Sequence, residues 1–479
     1  MNAWLQIFSL DLIIAAAAAL VLGVDAFFRI PGRVIGWLTA AVLVGTLGAS
    51  FFLDTTGTVP HGVYVSGAWV LFFKRVFLLA GALGVLGSID WLEEHTPHRQ
   101  AEYYALLLFS LCGMMVLPGA RDWVLLIVAF ELMGIPLYIL AAWAKTDGKP
   151  NEPKLGPEAA LKLFVTGAAS SAFTLFGLAL VIGVTGSTAL SAVPQGPLSP
   201  LASVGMLMVL AGMGFKVGAV PFHMWVPDTY QGAPTPFVAF LSVAPKAGGM
   251  AALAVVLLSG WAQHHAVWAP ALGLVSAASM VVGNLFALPQ TDARRLLGFS
   301  GIAQIGYVLI ALVARTEEGV AMALFFIATY VFTNLGAFLV VHAAAQSSGG
   351  HELKLLAGLS RRSPWLGAAL LVFLLSLAGI PFVVGFWAKL FVFLAAWRAG
   401  LGLLVALGVV VAVVGLFYYL SVARSTFMAE GESKEPIRAG RSLQAAIAVC
   451  LVAVVGLGLY PRPLVEEAAR AASAFMQGH

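Results

Sequence analysis

Charge is scarce in this chain: Asp, Glu, Lys and Arg make up 10% of its 479 residues, where a soluble domain carries about 25%. That scarcity excludes an ordinary water-soluble globule. Cysteine is nearly absent too, and Cys112 and Cys450 lie in different apolar runs, so neither a disulfide framework nor a Cys-rich metal motif is available. Two thiols cannot hold a conventional four-Cys iron–sulfur cluster. No Gly-rich nucleotide fingerprint lies between a strand and a helix, so no cofactor-binding and no metal-ligating residue is assigned. The nearest approach to a metal cluster is Glu93, Glu94, His95 and His98, which reads as a solvated loop of charges. His264 and His265 read as an exposed helix end, and Asp11, Asp25 and Asp90 as residues hydrated near helix termini.

What the chain has instead is apolar length. It is 61% hydrophobic, and apolar runs of about 20 residues, each able to cross a core about 30 Å thick, recur from end to end. About fourteen are predicted, near 3–28, 34–53, 68–92, 102–118, 122–144, 157–186, 200–226, 235–260, 268–288, 294–313, 318–345, 364–397, 402–423 and 443–460. The fold class is therefore an all-α integral membrane protein embedded in a lipid bilayer. Met1 to Leu10 carry no basic flank, so the first run is expected to be a retained helix with no soluble domain before it.

Basic residues concentrate in the odd-numbered loops: Arg29 and Arg33; Arg99; Lys145, Lys149 and Lys154; Arg294 and Arg295; Lys354, Arg361 and Arg362; Arg424, Lys434, Arg438 and Arg441. The even loops hold only Arg121, Arg315 and Arg398. Cytoplasmic loops are the ones enriched in Lys and Arg, so an even helix count puts both termini on the outer side. The basic excess thus reflects topology and gives no reason to expect a nucleic-acid partner.

Five ionisable residues, Glu131, Lys162, Lys216, Lys246 and Lys389, lie inside these apolar runs. A charge at the centre of a spanning helix costs roughly 2.5–3.5 kcal/mol on insertion scales unless it faces protein, water or a partner. Glu131 lies roughly 13 Å into the fifth span and Lys246 roughly 16 Å into the eighth, both near the midplane. Lys162 is only about one turn into its span, four residues after Glu158, which also fits a boundary Lys–Glu pair. Two spans are interrupted, at Gly218-Ala219-Val220-Pro221-Phe222 and at Gly379-Ile380-Pro381-Phe382. Proline removes a donor and clashes with the preceding turn, so each site is predicted to be a break. Breaks at matching places in two halves point to inverted repeats around a transport site. His223 follows the first break and can titrate near neutral pH.

The stretch Phe215 to Asp228, followed by Gly232-Ala233-Pro234-Thr235-Pro236 and Ser242 to Ala247, closely resembles the antiporter-like membrane subunits of respiratory complex I. Leu296 to Tyr307 and Gly379 to Phe386 resemble further segments of that family, and the likeness runs over about residues 100 to 430. Lys389 stands where one branch of the family typically has glutamate, and the tail after Tyr460 is too short for the long lateral helix of another. The chain looks like the N-type branch. The resemblance implies helices 1–3 over 1–101, a five-helix repeat over 102–260 and an inverted second repeat over 268–423. Helices 7 and 12 would be broken, with a loop, helix 14 and a tail over 424–479.

It also implies a proton path. Glu131 and Lys216 would be the coupled pair with Lys162 close by, Lys246 the central station, Lys389 the exit station, and His223 a link between hydrated segments. The family usually has histidine where this chain has Gln304, so Gln304 is expected to hold a water wire rather than store a proton. FMN, iron–sulfur clusters and quinone would belong to partner subunits of the membrane and peripheral arms, and the location would be a bacterial inner membrane. The rival reading is a subunit of a multi-subunit Na⁺/H⁺ antiporter. Desolvation disfavours a protonated amine and a nearby carboxylate favours it, so moving Glu131 relative to Lys216 can toggle the amine. Driving one charge against about 200 mV takes roughly 4.6 kcal/mol, about the size of a three-unit swing in proton affinity.

Overall fold

In the computed structural model of the chain, residues 3–28, 30–144, 155–194, 196–431 and 436–477 are described. Arg29, Lys145, Lys149, Lys154 and Lys434, which enter the orientation argument, lie outside them. Apart from an antiparallel hairpin of β1 (Gly57–Thr58) and β2 (Val65–Ser66), the regular structure is helical. The first helices are α1 (Ala3–Ile7), α2 (Ser9–Phe28), α3 (Gly32–Ala49), α4 (Ala68–His95), α5 (Gln100–Val116), α6 (Trp123–Ala141) and α7 (Leu155–Thr185). The middle of the chain forms α8 (Pro200–Val217), α9 (Trp225–Gly232), α10 (Thr235–Leu241), α11 (Ala244–Val255), α12 (His265–Ala287), α13 (Ala293–Val313) and α14 (Glu317–Ser348). Then come α15 (Leu359–Arg362), α16 (Pro364–Ala378), α17 (Val384–Arg398), α18 (Gly402–Met428), α19 (Arg441–Leu459) and α20 (Arg462–Gln477).

Among the described residues, 13 helical segments are long and apolar enough to cross a membrane. The predicted twelfth run is not among them, because its break splits it into α16 and α17, each of 15 residues. The spans differ in what surrounds them. The segment α10–α11 and α13 are enclosed on every side, whereas α2, α7 and α18 turn most of their apolar surface outward. Lipid accepts apolar side chains on the outside of the bundle, and backbone polar groups must then be satisfied within each helix. The enclosed helices are therefore where buried polar side chains can be tolerated.

Two local motifs recur. Asp122 caps α6, its Oδ1 accepting from the amides of Val124 (2.8 Å) and Leu125 (3.1 Å). Asp292 caps α13 in the same way, accepting from Arg294 (2.9 Å) and Arg295 (3.0 Å). Beside the first cap, Trp123 N donates to Thr188 O (2.8 Å) and Leu190 N to Arg121 O (3.0 Å). Beside the second, Ala293 N donates to His351 O (2.9 Å) and Leu353 N to Thr291 O (2.7 Å). Between the two caps the chain crosses through α6, α7, α8 with α9, α10 with α11, and α12. That is an odd number of crossings, so the two motifs stand at opposite ends of the bundle.

Two expectations are corrected. Asp11 is not a hydrated terminus: it is buried and ion-paired with Lys74 of α4, whose side chain is fully enclosed. Removing one partner of such a buried pair strands the other charge and costs about 3–5 kcal/mol, so the pair fixes α2 against α4. His264 is buried with its Nε2 at 2.9 Å from Pro194 O, and His265 Nε2 lies 3.0 Å from Val313 O. The tail after Tyr460 forms the helix α20. Ala468, Ala471, Ala472 and Phe475 recur at helical spacing and are buried against α14 and α4, with Phe475 stacked on Trp69 at 4.1 Å. Its outward face carries Arg462, Glu466, Glu467 and Arg470.

Candidate functional site

Both predicted breaks are present, and they are built alike. Helix α8 ends at Gly218 (φ +72°) and α16 at Gly379 (φ +86°), left-handed positions that favour glycine because they carry no Cβ penalty. Gly218 N donates to Phe215 O and Ala219 N to Gly214 O, both at 2.9 Å. Gly379 N donates to Ser376 O and Ile380 N to Leu375 O, both at 3.0 Å. Each terminus still leaves carbonyls that need donors inside the bundle. At the second break Lys389 supplies them, its Nζ donating to Leu377 O (2.7 Å) and Ala378 O (3.1 Å). At the first break the Lys246 side chain passes Gly218, its Cε 3.8 Å from where a Cβ would lie.

Glu131 of α6 and Lys216 of α8 are brought together, with Nζ 3.9 Å from Oε1. That is longer than a hydrogen bond, and Oε1 instead accepts from Ser171 Oγ at 2.6 Å. The amine is buried and without a hydrogen-bond partner, facing Phe130 at 5.7 Å. The pair is thus close enough to interact and loose enough to rearrange. The space between α6, α7 and α8 there, lined by Glu131, Ser171, Thr174 and Lys216, is about the size of one water molecule.

Lys246 lies on the enclosed segment α10–α11, buried and without a hydrogen-bond partner among the described residues. It shares a second water-sized space with Gln304 and Tyr330. Gln304 in turn donates to Leu377 O at 3.0 Å and to Tyr419 OH at 3.2 Å. Leu377 O therefore receives both Gln304 and Lys389. One backbone carbonyl of the broken helix joins the residue beside Lys246 to the terminal lysine.

Lys162 is placed elsewhere. It does not join Glu131 and Lys216 but pairs with Glu158 and with Asp228, each at 2.8 Å, and its side chain is 45% exposed. The nearby Ser171 belongs to the same helix about 13 Å farther along, which explains the separation. Asp228 also binds Arg295 of α13, so one carboxylate on the short helix α9 ties α7 to α13. His223 lies in the first break, half-buried with Nδ1 unpartnered, beside the exposed Phe222 and Met224. At the same end of the bundle as Asp228, His351 Nε2 meets Thr235 Oγ1 at 2.8 Å. Burial, reinforced by Arg294, pushes the His351 imidazole down to about 2, so it is neutral at physiological pH and stores no proton there. Asp228, Ser171, Tyr330 and Tyr419 escaped the sequence reading.

The family described as NADH:quinone oxidoreductase/Mrp antiporter, TM, matches residues 120–415. An NADH-quinone oxidoreductase subunit N from Moorella thermoacetica is 40% identical over 92% of this chain and 93% of its own length. One from Desulforamulus reducens is 36% identical over 98% of this chain and 99% of its own. Among solved structures, a chain of respiratory complex I from Thermus thermophilus, with bound aureothin, superposes with TM-score 0.80 and 33% identity. It covers 96% of this chain and 99% of that one. A chain of the Mrp complex from Dietzia sp. has TM-score 0.88 over 99% of this chain and 98% of that one. At 21% identity it speaks for the fold alone.

Proposed function

The chain belongs to the NADH:quinone oxidoreductase/Mrp antiporter membrane family, and from that premise we propose that it is a proton-translocating membrane subunit of an NADH:quinone oxidoreductase. The observation that carries the reading is the series of buried amines at two glycine-capped breaks: Lys216 beside Glu131, Lys246 in the enclosed centre, and Lys389 on the carbonyls of α16. Glu131 and Lys216 form the coupled pair, Lys246 is the central station and Lys389 the exit station. Gln304 holds the connection between the last two, and His223 helps to hydrate the first break. Lys162 acts at the rim through Asp228 rather than in the coupled pair. The matched caps and matched breaks support two inverted five-helix units, about 102–260 and 268–423.

Energy reaches these stations through contacts with other subunits of the membrane and peripheral arms, where FMN, iron–sulfur clusters and quinone would reside. The multi-pass chain lies in a bacterial inner membrane with both termini outside. A cysteine replacing Lys354 is then shielded from an impermeant thiol reagent in intact cells, while one replacing Gln477 labels; the reverse pattern would invert the topology.

The antiporter reading shares the fold, but the relatives at 36–40% identity carry the oxidoreductase name. An ammonium has donors and no lone pair for Na⁺, which also favours protons along this axis. The deciding experiment is purification of the tagged chain in mild detergent. Flavin- and iron–sulfur-containing subunits are expected to come with it. Recovery of other membrane chains alone, with no flavin absorbance, would favour the antiporter instead.

A further inference from the structure

Among the described residues Lys246 has no carboxylate partner, unlike Lys216, and the geometry points to the hydroxyl of Tyr330 as its relay partner. Gly301 of α13 lies the same number of residues after Asp292 as Glu131 of α6 lies after Asp122. Where the first helix carries the carboxylate that serves Lys216, the second carries no side chain.

A Cβ built on Gly301 would meet two atoms within 4 Å, Tyr330 OH at 2.8 Å and Lys246 Nζ at 2.9 Å. Both are buried polar atoms without a hydrogen-bond partner. With no Cβ on Gly301, the amine and the hydroxyl can both pack close to its backbone, and Lys246, Tyr330 and Gln304 together line one water-sized space. A buried water needs two to four polar partners, and that space offers an amine, a hydroxyl and an amide. The first helix repeats the device: a Cβ on Gly134 would lie 3.2 Å from Lys216 Nζ and 3.3 Å from Tyr138 OH, and that hydroxyl too is buried and unpartnered. On both helices a glycine, lacking a Cβ, lets a lysine amine and a tyrosine hydroxyl approach its backbone side by side.

In the relay step, the Lys246 ammonium gives a proton to the bridging water while that water passes one of its own to the Tyr330 oxygen. In the same motion the hydroxyl gives its own proton to a second water on its far side, so no charged tyrosine forms and the proton leaves as hydronium. That second water is the acceptor, and charge and atoms balance. The residue receives and returns a proton without a net change of its own charge, as a hydroxyl with one donor and two lone pairs can.

The inference rests on the proton-translocation reading of Lys246, so its test keeps the two apart. The assembled complex carrying Tyr330→Phe, Gly301→Ala, both together, or Lys246→Ala is reconstituted into vesicles, and proton uptake is measured relative to electron transfer. Tyr330→Phe removes one oxygen from an otherwise unchanged ring. It is expected to slow proton transfer by about tenfold or more, given that positioned acid–base groups contribute about 10²–10⁴. Gly301→Ala puts a methyl against both the amine and the hydroxyl, so one or both must shift, and it is expected to do the same. The double variant is expected to be no worse than the worse single, because both interrupt one link; merely structural damage would accumulate. Should Gly301→Ala fail to assemble, Tyr330→Phe still decides. Wild-type uptake from Tyr330→Phe with impaired uptake from Lys246→Ala overturns the relay alone. Additive losses in the double variant overturn it as well. Wild-type uptake from Lys246→Ala overturns the underlying reading.

Discussion

Glu131→Ala and Lys216→Ala are each expected to stop proton transfer through this chain while the complex still assembles. Lys216 closes no hydrogen bond that holds helices together among the described residues: its Nζ has no hydrogen-bond partner, and its 3.9 Å approach to Glu131 is a charge contact rather than a bond. Glu131 does accept from Ser171, and that hydroxyl can turn to another acceptor. What each variant removes is the charge by which the other is stabilised. At an effective dielectric of about 20, two unit charges 4 Å apart interact by about 4 kcal/mol. Losing even a third of that changes the occupancy of the amine by about tenfold. Lys216→Arg is not expected to rescue, because a guanidinium keeps its proton at any working pH. The measurement is proton uptake by vesicles containing the assembled complex, normalised to electron transfer. Unimpaired uptake from both alanine variants would end the case for a coupled pair.

The spans and both breaks were legible in the sequence because lipid imposes length on every crossing segment and glycine followed by proline marks where a helix must end. The lone charges were legible for the same reason: Glu131, Lys216, Lys246 and Lys389 stand out against leucine and valine, and the structure encloses the three lysines while leaving Glu131 partly exposed. What stayed hidden depended on partners far apart in the chain. Asp228 looked like a loop carboxylate, since Lys162 and Arg295 lie 66 and 67 residues away. Lys74 stands beside Arg75 near the start of an apolar run, and nothing local announces its pairing with Asp11. Tyr330 and Tyr138 counted as apolar ring in a hydropathy pattern, although their hydroxyls face buried amines. Helix α20 was missed because it is too polar to cross a membrane, and its apolar stripe of small alanines gives a weak signal.

Gln304→Leu is expected to separate Lys389 from Lys246 functionally, whereas Gln304→His is expected to preserve transfer. The amide of Gln304 performs two tasks at one place: it donates to Leu377 O and Tyr419 OH, and it lines the water-sized space beside Lys246. Leu377 O is an end-of-helix carbonyl inside the bundle, and Lys389 also donates to it. With leucine at position 304, the carbonyl keeps the Lys389 donor, so the break survives. The space next to Lys246 loses a polar wall, and a water there is left with fewer partners than the two to four it needs. A buried polar group left unsatisfied costs about 1–3 kcal/mol, which corresponds to roughly fivefold to more than a hundredfold in transfer across that link. Histidine can both donate and accept, and it adds a site that titrates near neutral pH, so it can replace the amide and also hold the proton in transit. Proton uptake normalised to electron transfer reads both variants. Wild-type uptake from Gln304→Leu would mean that protons pass from Lys246 to Lys389 without this residue, and a loss in Gln304→His would mean that the amide geometry, not its hydrogen-bonding capacity, is what the path requires.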